Sequence, residues 1–363
     1  MREDWKAPLF GNVLIVGTGT IGEPLIGLMT ALRKDMGIGE IYFHKRTPLK
    51  YEVAKVNSLT SRGALLATDE HSIEKFSELG HDVTCNFHQA IERCDVIIDC
   101  TPAGNENKEN IYLPCLNENP GKMFVAQGSE KGFGIPYAYG INDETLTENK
   151  QSFIQVVSCN THNIASIVGN LHRLSGVHGG DFVCIRRAND LSQDAGFIAS
   201  PHISSHSCKS GTHHAQDVID LFATVGIKFK KGLFSSAMKT NTQYMHVVRF
   251  NIEMDGKVSR EDVLESFTKD KMIALTHHKS ANRVFSFGRD HGFYGRIYNQ
   301  SVVSVESLNV ARRGRNTIVT GFCFTPQDGN SLMSSTAAAL YGIHGKRYLF
   351  NMSYFYKLLY GEI

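Results

Sequence analysis

Long apolar runs and paired cysteines are both missing from this sequence. A membrane-spanning helix needs about 20 apolar residues, and no run approaches that length, so we expect no transmembrane segment. The first stretch, "MREDWKAPLFG", contains charged residues in place of an apolar core, so we expect no signal peptide. The eight cysteines form no C-x-x-C pair and fit no regular framework. Free thiols in a reducing cytoplasm are the natural interpretation.

A large excess of charge of either sign is also missing. The formal net charge is +2 over 363 residues, which is too small to indicate a nucleic-acid or membrane partner. The only dense basic cluster is "ARRGRN" at 311–316, and its glycine favours a hairpin turn over a binding arm. The length favours two domains, and 42% hydrophobic residues provide ample material for their cores.

Short apolar runs alternate with helical patterns through the first half of the chain. "NVLIVG" at 12–17 has the composition of a buried strand, and 21–34 carries apolar residues at helical spacing. Further strands are predicted at 40–44, 81–85, 95–100 and 123–127. This alternation is typical of a parallel, doubly wound sheet, so the sequence predicts an α/β fold with an N-terminal Rossmann dinucleotide-binding domain.

The second half changes to longer strands with helices between them. Strands are predicted at 181–187, 244–254, 297–305 and 317–324, with a hairpin turn at 312–316 between the last two. Helices are predicted at 161–174, after Ser259 with Asp262 completing its cap, and from near Ser331. This half predicts an α+β catalytic domain with a mixed or antiparallel sheet. The expected domains are 1–157, 158–330 and a last helical segment, 331–363, that packs back on the first domain.

The stretch "VGTGTIG" supplies Gly17, Gly19 and Gly22 in a G-x-G-x-x-G pattern. It follows an apolar strand and opens a helix, which is the context that gives this motif meaning. The first glycine allows a tight turn, the second lets a pyrophosphate approach the backbone, and the third lets helix and strand pack closely. The alternative is an ordinary glycine-rich turn.

The following strand ends in "FHKRTP". An NAD-specific site normally has Asp or Glu at this point to bind the ribose 2′-hydroxyl. Here Lys45, Arg46 and Thr47 follow His44, and a cationic, hydroxyl-bearing corner suits the 2′-phosphate of NADP. NADP is therefore the expected cofactor, with NAD as the second choice, and a solvated charge pair on a loop is the alternative.

Cys159 ends a strand-like run and precedes a helix-like one in "VVSCNTHNI". A helix N-terminus beside the sulfur lowers the pKa of a thiol, and its free N–H groups can hold an oxyanion. A cysteine at such a junction is equally well a small core residue. From the residues alone, the two interpretations stay open.

Histidines offer both a base and a metal-site alternative. His246 begins "HVVRFNIEM" on the same strand face as its apolar residues, where it is either a satisfied core histidine or the base that a cysteine nucleophile needs. His202, His206, Cys208, His213 and His214 lie close together in "HISSHSCKSGTHHAQD". That cluster lacks the framing of a closed zinc site, and Lys209 would repel a metal, so we expect no metal. A loop that presents "THH" to a substrate phosphate is the preferred interpretation.

In these residues and in the motifs around them, the chain resembles the archaeal-type (type II) glyceraldehyde-3-phosphate dehydrogenases. The resemblance covers almost the whole chain in order. It is carried by "VGTGTIG", "HKRTP", "DVIIDCTPAGNENKEN", "AQGSEK", "VVSCNT", "IRRAND", "HHAQDV" and "YMHV".

The resemblance implies a role for each matching residue. Cys159 would be the nucleophile, His246 the base, and Ser158, Asn160, His213 and His214 the substrate contacts. The cofactor would be held by Gly17, Thr18, Gly19, Thr20, Ile21, Gly22, Lys45, Arg46, Thr47, Gly104 and Arg187. The resemblance also implies a cytoplasmic homotetramer that acts in glycolysis.

The chain departs from the family's pattern in three places. His162 and Asn163 stand where the family has Thr and Gly after the cysteine, which is expected to alter the choice of substrate. Glu106 stands in place of a glycine in the cofactor loop, where its charge is expected to crowd or repel the cofactor. "FTPQ" at 324–327 stands where the family has a glutamine beside the nicotinamide.

The expected reaction is the phosphorylating oxidation of glyceraldehyde 3-phosphate with NAD(P), through a thioester on Cys159 that inorganic phosphate resolves to 1,3-bisphosphoglycerate. Two alternatives stay open. One is a dehydrogenase that uses the same Cys/His chemistry on a different phosphorylated aldehyde or semialdehyde. The other is a non-catalytic dinucleotide-binding sensor.

Overall fold

The computed structural model describes residues 10–128, 131–149, 151–189, 198–205, 207–208 and 211–363. The chain packs as two units that are each assembled from separate segments. Unit 1 comprises the residues up to Ile135 together with Leu146–Gln155 and Ser335–Phe355. Unit 2 comprises Pro136–Thr145, Val156–Ser334 and Tyr356–Ile363. The domain limits expected from the sequence, three uninterrupted segments, stay a prediction.

Strands and helices alternate in the first half, as predicted. The strands are β1 Gly11–Val16, β2 Ile38–His44, β3 Leu65–Thr68, β4 Cys85–Asn86, β5 Val96–Asp99, β6 Met123–Gln127, β7 Ile135–Tyr137 and β8 Phe153–Val156. The helices are α1 Gly22–Met36, α2 Val53–Ser61, α3 Ile73–Glu78, α4 Phe87–Arg93, α5 Gly104–Asn107, α6 Leu113–Glu118 and α7 Glu144–Asn149. Their sheet has the order β4-β3-β2-β1-β5-β6-β8-β7, and the pairs from β4 to β6 are parallel.

The central strands of this sheet are buried on both faces, which explains their continuous apolar composition. Val13, Leu14 and Ile15 of β1 are fully buried. The strand predicted at 81–85 is wrong in extent, because only Cys85–Asn86 pairs with β3. The strand β3 itself was not predicted, since "LLAT" is a short apolar run without alternation. The parallel sheet confirms the predicted α/β class and Rossmann-type first domain.

The second half contains longer strands. They are β9 Val177–Arg186, β10 His202–Ile203, β11 Gly232–Lys239, β12 His246–Met254, β13 Ile273–Thr276, β14 Ser301–Ser304, β15 Asn309–Arg313 and β16 Asn316–Thr325. The helices are α8 Cys159–Ser175, α9 His213–Ala223, α10 Arg260–Lys269, α11 Ala281–His291, α12 Gly329–His344 and α13 Tyr348–Met352. The sheet order is β10-β11-β9-β12-β16-β14-β13, with β15 paired to β16. Parallel β9–β11 and antiparallel β9–β12 and β12–β16 pairs confirm a mixed sheet.

One face of the second sheet carries the core of unit 2. Alternate residues of β9 and β12, such as Phe182, Val248 and Phe250, are buried and pack with the apolar stripe of α8. The alternating burial along the strands is the pattern that the sequence predicts, whereas residues 160–171 of α8 are buried without interruption. This packing fixes the N-terminus of α8, where Cys159 lies, above one end of the sheet.

Two further expectations can be compared with this unit. Ser259 and Asp262 form the predicted capping box at the start of α10. The predicted strand 297–305 is shortened to Ser301–Ser304, and the hairpin partner of β16 is β15. Within the described residues, no helix is long and apolar enough to span a membrane.

Candidate active site

The glycine-rich turn after β1 has three separate constraints on its glycines. Gly17 has a φ of 97°, in the left-handed region that favours glycine. A Cβ on Gly19 would meet no atom within 4 Å, so a ligand can approach the backbone closely there. A Cβ on Gly22 would lie 2.0 Å from the carbonyl oxygen of Gly17, so only glycine lets α1 begin this close to β1. Such a turn fits the pyrophosphate of a dinucleotide.

A cleft of about 840 Å³ in unit 1 lies beside this turn. Its walls include five of the cofactor residues expected from the sequence, namely Gly17, Thr18, Lys45, Arg46 and Thr47. Gly19, Thr20, Ile21 and Gly22 follow in the turn and the first residue of α1. Gly104 is buried at the start of α5, and its neighbours Ala103 and Asn105 line the cleft. The expected residues of unit 1 are therefore brought to one place.

The basic corner of the cleft has a single freely available guanidinium. Lys45 is buried, and its ammonium is paired with Glu52. Arg46 is exposed and forms no ion pair with any carboxylate in the described part of the chain. Arg46 is therefore a cation of this corner that no carboxylate of the described residues neutralises. Glu106 also lines the cleft, but it is exposed, so its carboxylate can stay in solvent.

Asp99, at the end of β5, fixes the loop on the other side of the cleft. Its side chain is buried and accepts hydrogen bonds from the Thr101 N–H at 2.8 Å, the Asn107 amide at 2.7 Å and the Tyr112 hydroxyl at 2.6 Å. Burial and the nearby Asp99 carboxylate raise the pKa of Tyr112, so its hydroxyl stays a donor. The sequence pattern did not identify this carboxylate, although an Asp closing an apolar strand marks a strand end.

Cys159 is the first residue of α8. Ser158 caps the helix by accepting a hydrogen bond from the Thr161 N–H at 3.4 Å. Burial raises the pKa of the Cys159 thiol to about 11, and the Asp328 carboxylate acts in the same direction. Arg187, Arg186 and the Asn160 N–H oppose this rise. The lowered pKa expected from the helix N-terminus is therefore wrong for the resting protein, because desolvation is larger.

His246 begins β12 and is buried on the inner face of the sheet, as predicted. Burial and then the charge of Arg187 lower its pKa well below the usual range, so the ring is neutral. The backbone N–H of Arg187 donates to Nδ1 at 2.9 Å, which leaves the ring proton on Nε2.

The Nε2 atom of His246 lies 3.0 Å from the amide nitrogen of Gln327. Two N–H groups cannot bond to each other, so we infer that the Gln327 amide is turned over and that its oxygen accepts the Nε2 proton. That oxygen otherwise finds no partner among the described groups. The ring therefore offers a proton from Nε2. Action as a base requires that the Arg187 N–H leave Nδ1 during the reaction.

Four side chains form a cross-strand row at this end of the sheet: Lys239, Arg186, His246 and Thr325. Lys239 of β11 pairs with Arg186 of β9, and His246 of β12 pairs with Thr325 of β16. The pairing of Val247 with Ile185 places His246 beside Arg186. Directly opposite residues of neighbouring strands share a face, so the row lies on the inner face, under the start of α8.

Thr325 connects the row to the residue that follows the cysteine. Its hydroxyl donates to the Asn160 side-chain oxygen at 3.1 Å, and the Asn160 amide lies 3.4 Å from Nε2 of His214. On its other side, His214 bonds through Nδ1 to the Thr212 hydroxyl at 3.0 Å. Burial lowers the pKa of His214 well below the usual range, so His214 is neutral and fully hydrogen-bonded.

The segment that contains His213 and His214 is helical. The expectation of a loop presenting "THH" is wrong, because α9 begins at His213 and Thr212 occupies its N-cap position. His213 is exposed, whereas His214 is buried against Asn160. Ser158, Asn160 and His214 are thus brought together around Cys159, and His213 lies at the surface of the same helix end.

Three archaeal proteins with a similar sequence are named glyceraldehyde-3-phosphate dehydrogenase. The chain is 26% identical over 305 residues to the glyceraldehyde-3-phosphate dehydrogenase of Methanocaldococcus jannaschii, covering 82% of this chain and 85% of that protein. It is 28% identical over 307 residues to the enzyme of Sulfolobus acidocaldarius, covering 82% and 83% of the two chains. The enzyme of Pyrobaculum calidifontis is 28% identical over 290 residues, covering 77% and 78%. No family model matches the chain.

The chain is thus similar to archaeal glyceraldehyde-3-phosphate dehydrogenases over most of its length, at 26–28% identity. The glycine turn with its cleft and the buried cysteine with its histidine are consistent with an oxidoreductase that uses a nicotinamide dinucleotide.

Two residues after Cys159 differ from the pattern expected of the family, and both lie inside unit 2. His162 is buried, with Nδ1 3.0 Å from the Ser158 carbonyl oxygen and Nε2 2.8 Å from the Ser334 hydroxyl. Asn163 is buried, and its amide donates to the Thr325 hydroxyl at 2.7 Å. Both side chains are buried at 0% exposure, and their expected effect on substrate choice stays a prediction.

Arg187 is buried at the end of β9, and its side chain lines a second pocket of unit 2, of about 240 Å³, together with Gln327 and Asp328. Its predicted contact with the cofactor stays a prediction. Of the alternative zinc ligands, His202 and Cys208 are exposed and His206 lies outside the described residues. Among the described side chains, no three His, Cys, Asp or Glu residues converge on a possible metal position.

Sequence reasoning missed three polar residues of the site. Arg186 and Lys239 belong to the cross-strand row, and Gln327 faces His246. The family resemblance assigned only the second arginine of "IRRAND". Arg186 could have been found from the alternation of β9, since it follows the buried Phe182 and Cys184 at a spacing of two.

Proposed function

We propose that this protein is an NAD(P)-dependent, phosphorylating dehydrogenase of glyceraldehyde 3-phosphate that works through a thioester on Cys159. The observation that carries the proposal is the position of Cys159 at the start of α8, with His246 and Arg186 on the row below it. The names of the similar proteins support the choice of substrate.

The residues around the cleft of unit 1 would hold the dinucleotide. The turn at Gly19 would receive the pyrophosphate, and Arg46 with Thr47 would bind the 2′-phosphate, so NADP is proposed to be preferred over NAD. When bound, the cofactor supplies the acceptor of a hydride. The eight free thiols are consistent with the proposed location in a reducing cytoplasm.

The reaction at Cys159 proceeds in three steps. The thiol proton passes to solvent water, and the sulfur forms a bond to the aldehyde carbon while the carbonyl oxygen takes the electron pair of the broken C=O π bond. Departure of hydride from that carbon restores the C=O bond and leaves a thioester. An oxygen of inorganic phosphate then bonds to the same carbon, and the C–S bond breaks to release the acyl phosphate and the thiolate.

His246 is proposed to stabilise the oxygen of the attacked aldehyde by donating its Nε2 proton. The neutral ring already carries that proton, and the amide of Gln327 is its acceptor at rest. A substrate oxygen in place of the Gln327 amide receives a donor that is fixed in advance. The base role expected from the sequence requires the opposite tautomer and the loss of the Arg187 N–H bond.

Replacement of the nucleophile tests the proposal. We expect Cys159→Ser to reduce kcat with glyceraldehyde 3-phosphate by several orders of magnitude and to leave NADP affinity unchanged. In wild type, mass spectrometry should find an acyl adduct on Cys159 when phosphate is withheld. Activity within about tenfold of wild type in the variant would exclude covalent catalysis. Cofactor binding without an adduct from any aldehyde would support a sensor instead.

A further inference from the structure

Glu52 holds two lysines of unit 1 together. It occupies the N-cap position of α2, but its side chain makes no hydrogen bond to the helix N-terminus. One carboxylate oxygen is paired with the ammonium of Lys45, and the other accepts a hydrogen bond from Nζ of Lys55 at 2.7 Å. Burial acts to raise the pKa of Glu52, but the hydrogen bonds from both lysines lower it overall. The carboxylate is therefore charged at neutral pH.

The two lysines reach two different parts of the dinucleotide cleft. Lys45 is buried directly after β2 and lines the cleft together with Arg46 and Thr47. Nζ of Lys55 donates to the carbonyl oxygen of Thr18, in the glycine-rich turn, at 3.3 Å. Glu52 therefore connects, through one lysine each, the turn proposed to receive the pyrophosphate and the corner proposed to receive the 2′-phosphate.

The charges of this network cancel one another. The ammonium groups of Lys45 and Lys55 face the carboxylates of Glu52 and of Glu23, which lies 3.5 Å from Lys55. A paired carboxylate removes most of the attraction that Lys45 would have for a second anion. Arg46 is exposed and pairs with no carboxylate of the described residues, so it keeps its full charge for a ligand.

NADP and NAD differ at this corner by one phosphate group. A lysine ammonium without a partner would attract that phosphate strongly. In this protein the phosphate has to share Lys45 with Glu52, whose other oxygen is held in place by Lys55. The ribose hydroxyl of NAD carries no charge at this point, so it loses little by the same pairing. The pairing thus weakens NADP binding more than NAD binding.

We propose that Glu52 sets the preference between NADP and NAD, by neutralising Lys45 and thereby limiting the preference for NADP. Glu52 is a positioning residue in this role, because it acts through Lys45. The inference rests on the proposed function, since it takes the cleft of unit 1 to bind a nicotinamide dinucleotide.

The dissociation constants of the two dinucleotides, measured by titration calorimetry, test the role of Glu52. We expect Glu52→Gln to lower the Kd of NADP on the order of tenfold, because Lys45 becomes available to the 2′-phosphate. The Kd of NAD should stay within about threefold of wild type. Glu40→Gln is the matched control, since Glu40 is a carboxylate of the same unit that pairs with Arg33 at 2.7 Å and is not part of the network.

Lys45 provides the second arm of the experiment. Lys45→Met should lower the NADP-to-NAD ratio of affinities, because the network then has one negative charge in excess. The double variant Glu52→Gln/Lys45→Met loses one charge of each sign, so its ratio should return to near the wild-type value. A gain in NADP affinity that persists in the double variant would overturn the inference. The gain in Glu52→Gln should also shrink between about 50 mM and about 500 mM KCl, because salt screens the added charge.

The outcomes separate this inference from the proposed function. If wild type binds both dinucleotides and neither Glu52→Gln nor Lys45→Met changes their ratio, the role of Glu52 is rejected and the proposed function is kept. Equal losses of affinity for NADP and NAD in Glu52→Gln would also reject the role, because Glu52 would then only support the fold. A shifted ratio without dehydrogenase activity on any aldehyde would reject the proposed function and keep the role. Wild type that binds neither dinucleotide would reject both.

Discussion

Replacement of His162 by glutamine should reverse the order of stability of wild type and variant between neutral and acidic pH. His162 is buried and bonds through Nδ1 to the Ser158 carbonyl and through Nε2 to the Ser334 hydroxyl. Burial lowers its pKa to about 4 from an ordinary value of 6.5. Glutamine can keep one or both of these bonds and does not titrate.

The magnitude follows from the two pKa values. The folded state holds the ring neutral, so its contribution is complete above pH 6.5 and is lost as the pH falls towards 4. At pH 4.5 the unfolded chain binds the proton and the folded chain largely does not, which lowers the free energy of unfolding of wild type by about 2.5 kcal/mol. At pH 7 the variant loses about 1 kcal/mol through weaker hydrogen bonding. At pH 4.5 the variant should therefore be more stable by about 1.5 kcal/mol.

Urea denaturation followed by circular dichroism, at pH 7 and at pH 4.5, measures the difference in free energy of unfolding between wild type and variant at each pH. The other histidines with lowered pKa are present in both proteins, so their contributions cancel in the difference between them. They are His44, His81, His214, His246 and His344. The difference in free energy of unfolding between wild type and variant should change sign between the two pH values, because a buried neutral His162 has to be protonated at low pH. A difference that stays the same within about 0.5 kcal/mol would refute the reasoning.

Two further predictions concern the cleft of unit 1. Gly22→Ala should lower the free energy of unfolding by about 1–3 kcal/mol, because its Cβ would lie 2.0 Å from the Gly17 carbonyl oxygen. Gly19→Ala, with no atom within 4 Å of its Cβ, should keep the stability of the protein and lose affinity for the dinucleotide. Urea titration and the Kd of the cofactor compare the two variants. Equal losses of stability would contradict the separate roles given to Gly19 and Gly22. Arg46→Ala should reduce the NADP-to-NAD ratio of kcat/KM by about tenfold or more, because a bond to the 2′-phosphate is lost. Lys50→Ala, a nearby exposed lysine, is its control, and an unchanged ratio would remove Arg46 from that role.

The first half of the fold was largely predictable because its signals are local. A strand such as Val13–Val16 is apolar throughout, and a glycine pattern marks the turn that follows. One of the missed strands, β3, is four residues long, and "LLAT" fits a helix as well as a strand. The predicted strand at 81–85 has alternating composition but pairs only at its last residue. Pairing depends on partners, and local composition does not contain them.

The site was predictable only where one residue type carries the chemistry. Cys159 and His246 stand at the ends of elements with clear apolar patterns. The charge on Arg186 and Lys239 becomes informative only when β11 pairs in parallel with β9, and these strands are about 50 residues apart in the chain. The lowering of the Cys159 pKa that was expected from the sequence is wrong for the same reason. The thiol is desolvated by segments that are distant in the sequence and pack over the N-terminus of α8.

We expect the cross-strand row to determine which aldehyde this protein accepts. The row contributes one side chain from each of four strands, and the residues that follow Cys159 are not part of it. His162 and Asn163 are buried and hold the start of α8 by bonds to Ser158 and Thr325. A change at either position acts through the placement of Cys159, so it should alter reactivity towards every aldehyde alike. Arg186 and Lys239 are paired in register on the row itself, so a change there should separate one aldehyde from another. A specificity difference from the similar proteins is therefore to be sought on the inner face of the sheet.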